Sequence, residues 1–238
     1  MPTPTLPKSL DEAVIQARSA AQAALDDGYS RIQVELLFPE LKVLPIAQSF
    51  LEAFEPLGAA LRVVFPDAGS AALARRDWGD QSYIIRGISD INAKFQTDES
   101  LFIFVEPSSV EVAQVEALCQ GAGDRPVVML NPRLEDVAVV GIGYAARQLR
   151  ERFLSQFDSC YYLRPLNDAA LFRCYPHPWQ IWRQKEDDYE LLSEHETRPT
   201  ADEIDAQLMG TIESGSAAQP PRRSLLSELQ SFLRALSQ

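Results

Sequence analysis

A chain of 238 residues with 46% hydrophobic and 24% charged residues has the make-up of a globular domain, which excludes the disordered and fibrous classes. Asp plus Glu outnumber Lys plus Arg by 34 to 22, and the net charge of -12 would be repelled by phosphate backbones and anionic lipid, so nucleic acid is not an expected partner. Cys119, Cys160 and Cys174 show no C-x-x-C spacing and read as reduced core residues; the opening MPTPTLPKSLDE lacks an apolar signal core, and no run reaches the roughly 18 apolar residues of a membrane helix. These features describe a cytoplasmic protein.

Residues 1–8 are rich in Pro and Thr and read as a flexible N-terminus. Ser9 and Glu12 then form a capping box for a helix whose Leu10, Ala13, Val14, Ala17, Ala21, Ala24 and Leu25 recur at helical spacing until Asp26-Asp27-Gly28. IQVELLF (32–38) is almost continuously apolar, as a strand buried on both faces should be, and ends at Pro39-Glu40. A second helix carries Ile46, Ala47, Phe50, Leu51 and Phe54 on one face. LRVVF (61–65) stops at Pro66-Asp67, and Gly69-Ser70 opens AALARRDW. YIIRGI (83–88) is a weaker strand and LFIFV (101–105) a strong one, ending at Glu106-Pro107. Ser108 with Glu111 is expected to cap the following helix, and VVML (127–130) ends at Asn131-Pro132. Apolar runs that end in a turn and lead to a helix predict a mostly parallel sheet covered by helices, an α/β Rossmann-like fold.

After Phe157 the pattern changes. CYYLRPL, ALFRCY, WQIWR and YELLSE are short β-prone runs joined by polar turns, which predict an antiparallel meander from about residue 160 that extends the sheet. The α/β domain is thus expected over 9–196, a short helix capped by Thr200 and Glu203 within 197–212, a linker over 213–224, and an amphipathic helix over 225–238. That last helix places Leu225, Leu226, Leu229, Phe232, Leu233 and Leu236 on one stripe, which folds back on the domain or docks on a partner.

Parallel strands bring their carboxyl ends to one rim, where open α/β sheets place ligands. That rim would collect Glu40, Asp67, Gly69, Ser70, Glu106, Asn131 and Arg133, a set able to hold a cation or a phosphate, although turn chemistry alone also selects such residues. Val137 to Val140 followed by Gly141 and Gly143 fits G-x-G-x-x-A before a helix. It comes fifth rather than first among the strands and lacks the acidic partner at a later strand end, so Gly141 and Gly143 read more simply as packing positions, with nucleotide binding at the ligand rim as their alternative. The only histidines, His177 and His195, assemble no catalytic or zinc set; no catalytic residue, metal site or cofactor is predicted, with a nucleotide or magnesium at the rim as the alternative. Tyr161, Tyr162, Phe172, Tyr175, Trp179 and Trp182 form either the meander's core or a flat recognition surface, and the latter makes Tyr175, Trp179 and Trp182 partner-binding candidates.

The segments VELLFPEL, VVFPDAGSAALARRDW, LNPRLEDVAVVGIGYAARQLRERFLSQF and CYYLRPL with LFRCYPHPWQIW resemble a family of uncharacterised domains of cyanobacteria and plastids. Its members include the plant low photosystem II accumulation assembly proteins and a C-terminal extension of a plastid adenylate kinase. The resemblance spans roughly residues 10–195 and brings no established catalytic residues. It implies a soluble α/β protein at the cytoplasmic or stromal face of thylakoids, peripheral on the membrane, with subunits of a photosynthetic complex as partners. The expected function is a non-enzymatic accessory or assembly factor acting by protein binding. The alternative is a nucleotide- or phosphate-ligand protein, enzymatic or not, using the strand-end crevice.

Overall fold

The computed structural model of the chain describes residues 4–90, 95–134, 144–186 and 188–212. The order of elements is α1 (Leu10–Asp26), β1 (Arg31–Leu36), α2 (Val43–Leu51), β2 (Leu61–Phe65), α3 (Ala68–Trp78), β3 (Ile84–Gly87), β4 (Leu101–Val105), α4 (Val112–Ala122), β5 (Val127–Leu130), α5 (Tyr144–Arg152), β6 (Asp158–Leu166), β7 (Ala169–Cys174), β8 (Trp179–Lys185), β9 (Asp188–His195) and α6 (Ala201–Ile212). Among the described residues the strands form one nine-stranded sheet in the order β3-β2-β4-β5-β1-β6-β7-β8-β9. Pairing is parallel from β3 through to β6 and antiparallel from β6 to β9.

Crossover handedness explains the layering. The chain moves towards the β3 edge through α2 and α3 and then back through α4 and α5, and right-handed crossovers in opposite directions put their helices on opposite faces. Accordingly α1, α2 and α3 bury Ala17, Ala21, Phe50 and Ala74 with Val34, Val63 and Ile103 in one cluster. On the other face Val115 and Cys119 of α4 pack with Phe153 and Phe157 over Phe102, Phe104 and Met129. A third cluster joins the meander to α6 through Tyr162, Leu171, Trp179, Ile181 and Ile204. The helix starts follow the expected chemistry at α1, where the Ser9 hydroxyl accepts from the Glu12 amide, and at α6, where Thr200 and Glu203 cap each other.

The structure differs from the sequence reading at three places. The first strand of the expected meander, β6, pairs parallel with β1 on one side and antiparallel with β7 on the other, so it is the last strand of the parallel half and the first of the hairpins. Helix α4 begins at Val112 with no side-chain cap, because the Ser108 hydroxyl donates to the Glu111 carboxylate and accepts from the Val110 amide, one turn ahead of the helix. Strand β1 is apolar on one face only: Ile32, Val34 and Leu36 join the α1/α2 core, whereas Gln33 and Glu35 alternate onto the opposite face. Residues 137–143 with Gly141 and Gly143, and the helical stripe Leu225, Leu229, Phe232, Leu233 and Leu236, lie outside the described residues.

All three cysteines are buried free thiols, and burial pushes their pKa up to about 12 at Cys119 and Cys160 and about 11 at Cys174. Thiols held neutral in this way serve packing rather than nucleophilic chemistry. No helix among the described residues is long and apolar enough to cross a membrane.

Candidate functional site

A doubly wound sheet opens a ligand crevice wherever two neighbouring strands send their outgoing loops to opposite faces. Here one such opening lies between β2 and β4, which lead to α3 and α4 on opposite faces, and a second lies between the carboxyl ends of β1, which leads to α2, and β5, which leads towards α5 on the other face. Asn131 stands in that opening and is 3% exposed. Its backbone turns away from the sheet at φ 50, a left-handed conformation that asparagine tolerates better than most residues. The side chain then takes over where the main chain leaves: its Oδ1 accepts from the Leu36 amide at 2.7 Å and its Nδ2 donates to the Leu36 carbonyl at 3.1 Å. An amide group has the donor and acceptor of one peptide unit, so Asn131 acts as a further rung of the β1/β5 ladder and fills the crevice mouth.

The neighbouring strand end repeats the backbone turn with different chemistry. Glu106, at φ 49 after β4, donates its amide to the Leu130 carbonyl, and Arg133 donates its own to the Pro107 carbonyl at 2.7 Å, tying the two loops together. The side chains meet as an ion pair at 3.4 Å, with Arg133 69% exposed. Burial raises the Glu106 pKa against the opposing pull of Arg133. Asp67 serves α3: its Oδ1 accepts from the Ser70 amide at 2.8 Å and its Oδ2 from the Ser70 hydroxyl at 2.7 Å, bonds that lower its pKa. The Gly69-Ser70 amides expected to hold a phosphate are therefore engaged by a carboxylate. Glu40 is exposed and forms a turn of its own at φ 58. The rim residues share one end of the sheet, but their side chains meet only in two separate pairs, Asp67 with Ser70 and Glu106 with Arg133. Among the described residues no cluster of three His, Cys, Asp or Glu side chains could hold a metal ion.

A second group lies where β1 meets β6. Glu35, 8% exposed, accepts from Gln33 Nε2 at 2.9 Å and from the Ser159 hydroxyl at 2.7 Å, and its pKa is raised because burial outweighs these bonds and the charge of Arg198. Arg198 donates to the Tyr162 hydroxyl at 2.6 Å and lies over the Tyr162 ring at 4.5 Å. Beyond it, between the β6/β7 turn and α6, opens a cavity of ≈ 640 Å³ with Leu166, Leu171, Ile204 and Leu208 in its wall. Apart from Tyr162, a member of the aromatic cluster, none of these residues is singled out by the sequence. The one available signal was the alternation of Gln33 and Glu35 inside an otherwise apolar strand, which marks a face that needs polar partners.

The aromatic candidates do not share a surface. Trp182 is 9% exposed and packs in the α1/α2 cluster, while Trp179 is 5% exposed and packs with α6 on the opposite side of the sheet. Tyr175 is half-buried, donates its hydroxyl to Asp27 at 2.7 Å and meets the Tyr29 ring edge-on at 5.4 Å. These rings hold the meander to the parallel half, and Trp179 and Trp182 offer no open recognition face.

The order of strands, the helices on both faces and the polar rim define an α/β Rossmann-like domain whose β1/β5 switch-point crevice is occupied by its own asparagine. The chain belongs to the family described as "Domain of unknown function (DUF1995)", whose model matches residues 7–206. No solved structure matches it.

Proposed function

We propose that this chain is a non-enzymatic accessory or assembly factor that acts by protein binding, serving a photosynthetic membrane complex of the photosystem II type from the cytoplasmic surface of the thylakoid. Asn131 is the observation that carries the reading. Of the two crevices where such a sheet takes ligands, the one between β1 and β5 is closed by a side chain hydrogen-bonded at both its ends, and at the one between β2 and β4 the Asp67 carboxylate occupies the amides at the start of α3. A domain that commits these groups to its own frame works through its outer surface. The resemblance to plant photosystem II assembly proteins, carried by the F-P-D, L-N-P-R and C-Y-Y-L segments, supports a photosynthetic complex as the partner. Affinity capture with the full chain from detergent-solubilised thylakoids is the test. Enrichment of photosystem II subunits over a column bearing an unrelated acidic protein is expected, and recovery of no photosystem or antenna subunit would contradict it.

A second reading keeps a nucleotide or phosphate ligand, with or without magnesium, at the rim. Arg133 favours it, because a guanidinium that is 69% exposed and paired with one carboxylate at 3.4 Å retains donors for an anion. Calorimetric titration with mono- and dinucleotides, with and without magnesium, decides this reading; the absence of heat at millimolar ligand removes it.

A further inference from the structure

The cavity beside α6 combines features that rim and core do not. Its lining is apolar along Leu166, Leu171, Ile204 and Leu208 and carries the exposed Arg164 and Arg198. Arg198 donates to the buried Tyr162 hydroxyl at 2.6 Å, and Arg164 lies two residues along the same strand within electrostatic reach of it; burial and Glu35 raise the Tyr162 pKa while the two arginines lower it. The nearest buried acid, Glu35, feels the charge of Arg198 but has its pKa raised by burial, so it favours the neutral form more than a free carboxylate does. Among the described residues neither arginine is in an ion pair. The lining holds a single carboxylate, Asp205, so it keeps a positive excess on a chain whose net charge is -12. At ≈ 640 Å³ the space lies within the range of small-ligand clefts, about 300 to 1,000 Å³.

We propose that this cavity binds a small anionic amphiphile: an apolar body laid against Leu166, Leu171, Ile204 and Leu208, with one carboxylate or phosphate head held between Arg164 and Arg198. The head group supplies the acceptor oxygens that Tyr162 alone does not, and charge-assisted hydrogen bonds to guanidinium are the strong kind. The apolar body removes exposed leucine and isoleucine surface from water. Trp179 sits behind the site, 5.1 Å from the Tyr162 ring and 5.6 Å from the Arg198 guanidinium, so its fluorescence reports occupancy. The proposal stands independently of the protein-binding reading above and is tested without any partner.

Decanoate, decyl phosphate and decan-1-ol are titrated into the full chain, followed by tryptophan fluorescence and calorimetry. Decanoate or decyl phosphate is expected to bind one-to-one with a Kd on the order of tens of micromolar, and whichever binds tighter identifies the head group. Decan-1-ol should bind at least about tenfold more weakly. Arg198→Gln and Arg164→Gln should each weaken the anion by about tenfold while leaving the alcohol unchanged. Both side chains are exposed, so far-UV circular dichroism and Tm should match the parent protein. Equal affinity for alcohol and anion, unchanged anion affinity in both variants, or no saturable binding below about 1 mM would each overturn the proposal.

Discussion

Replacing Asn131 with alanine removes both hydrogen bonds to Leu36, whose backbone is buried with a side chain 2% exposed. Leaving a buried amide and a buried carbonyl unpaired costs roughly 1 to 3 kcal/mol each, and two such losses in a site that water can partly re-enter come to about 2 to 4 kcal/mol. Alanine at φ 50 adds about 1 kcal/mol, because asparagine is the better tolerated residue in the left-handed region. The expected total is about 3 to 5 kcal/mol, a Tm lowered by about 8 to 15 °C for a domain of this size. Asn131→Gly separates the contributions: it keeps the backbone comfortable and loses only the amide, so it should fall about 1 kcal/mol less than alanine. Urea unfolding followed by circular dichroism measures both. If either variant stays within about 1 kcal/mol of the parent protein, the side chain is not a rung of the sheet and the crevice is not closed in the way described.

Other substitutions test separate parts of the account. Glu35 has a folded pKa raised by burial, so the native state holds its proton more tightly than the unfolded chain, whose carboxylate titrates near 4.5; stability from this group therefore falls as pH rises through the window above 4.5. Glu35→Gln, which still accepts from Ser159, should flatten that slope, being more stable than the parent at pH 7 and indistinguishable below 4.5 in chemical denaturation. Arg62 and Glu99 form an ion pair only 3% and 1% exposed, so Glu99→Ala should cost about 3 to 5 kcal/mol, and the apolar pair Arg62→Met with Glu99→Leu should recover most of it, both read as shifts in urea midpoint. Arg133→Gln should change stability by less than about 1 kcal/mol, since Arg133 is 69% exposed and its pair with the half-buried Glu106 is loose at 3.4 Å, so any loss of nucleotide heat in that variant would report binding rather than folding.

The strand-turn-helix rhythm was legible because each buried parallel strand is a short apolar run stopped by turn chemistry, as at Phe65-Pro66-Asp67 and Leu130-Asn131-Pro132. The residues of the rim could be gathered from that rhythm alone. Their roles could not: Asn131 reads as a turn former, and only the placement of β1 beside β5 turns its side chain towards Leu36. Strand order is a tertiary property, which is also why β6 read as the start of a hairpin rather than as a parallel partner of β1. The split between Trp179 and Trp182 follows from their three-residue spacing on a strand, and the register shift between Ile181 and Trp182 adjusts how they seat. The cavity at α6 needs residues 164–171 and 198–208 brought together, a juxtaposition that no local pattern announces.

Protein binding to a photosynthetic complex is tested most directly by co-sedimentation. The tagged full chain, expressed at native level in a photosynthetic host, is followed through a density gradient of thylakoids dissolved in mild detergent. The account predicts a fraction of the chain moving with photosystem II assembly intermediates and returning to the top of the gradient when those subunits are absent. A chain that stays at the top of the gradient in both strains would contradict it.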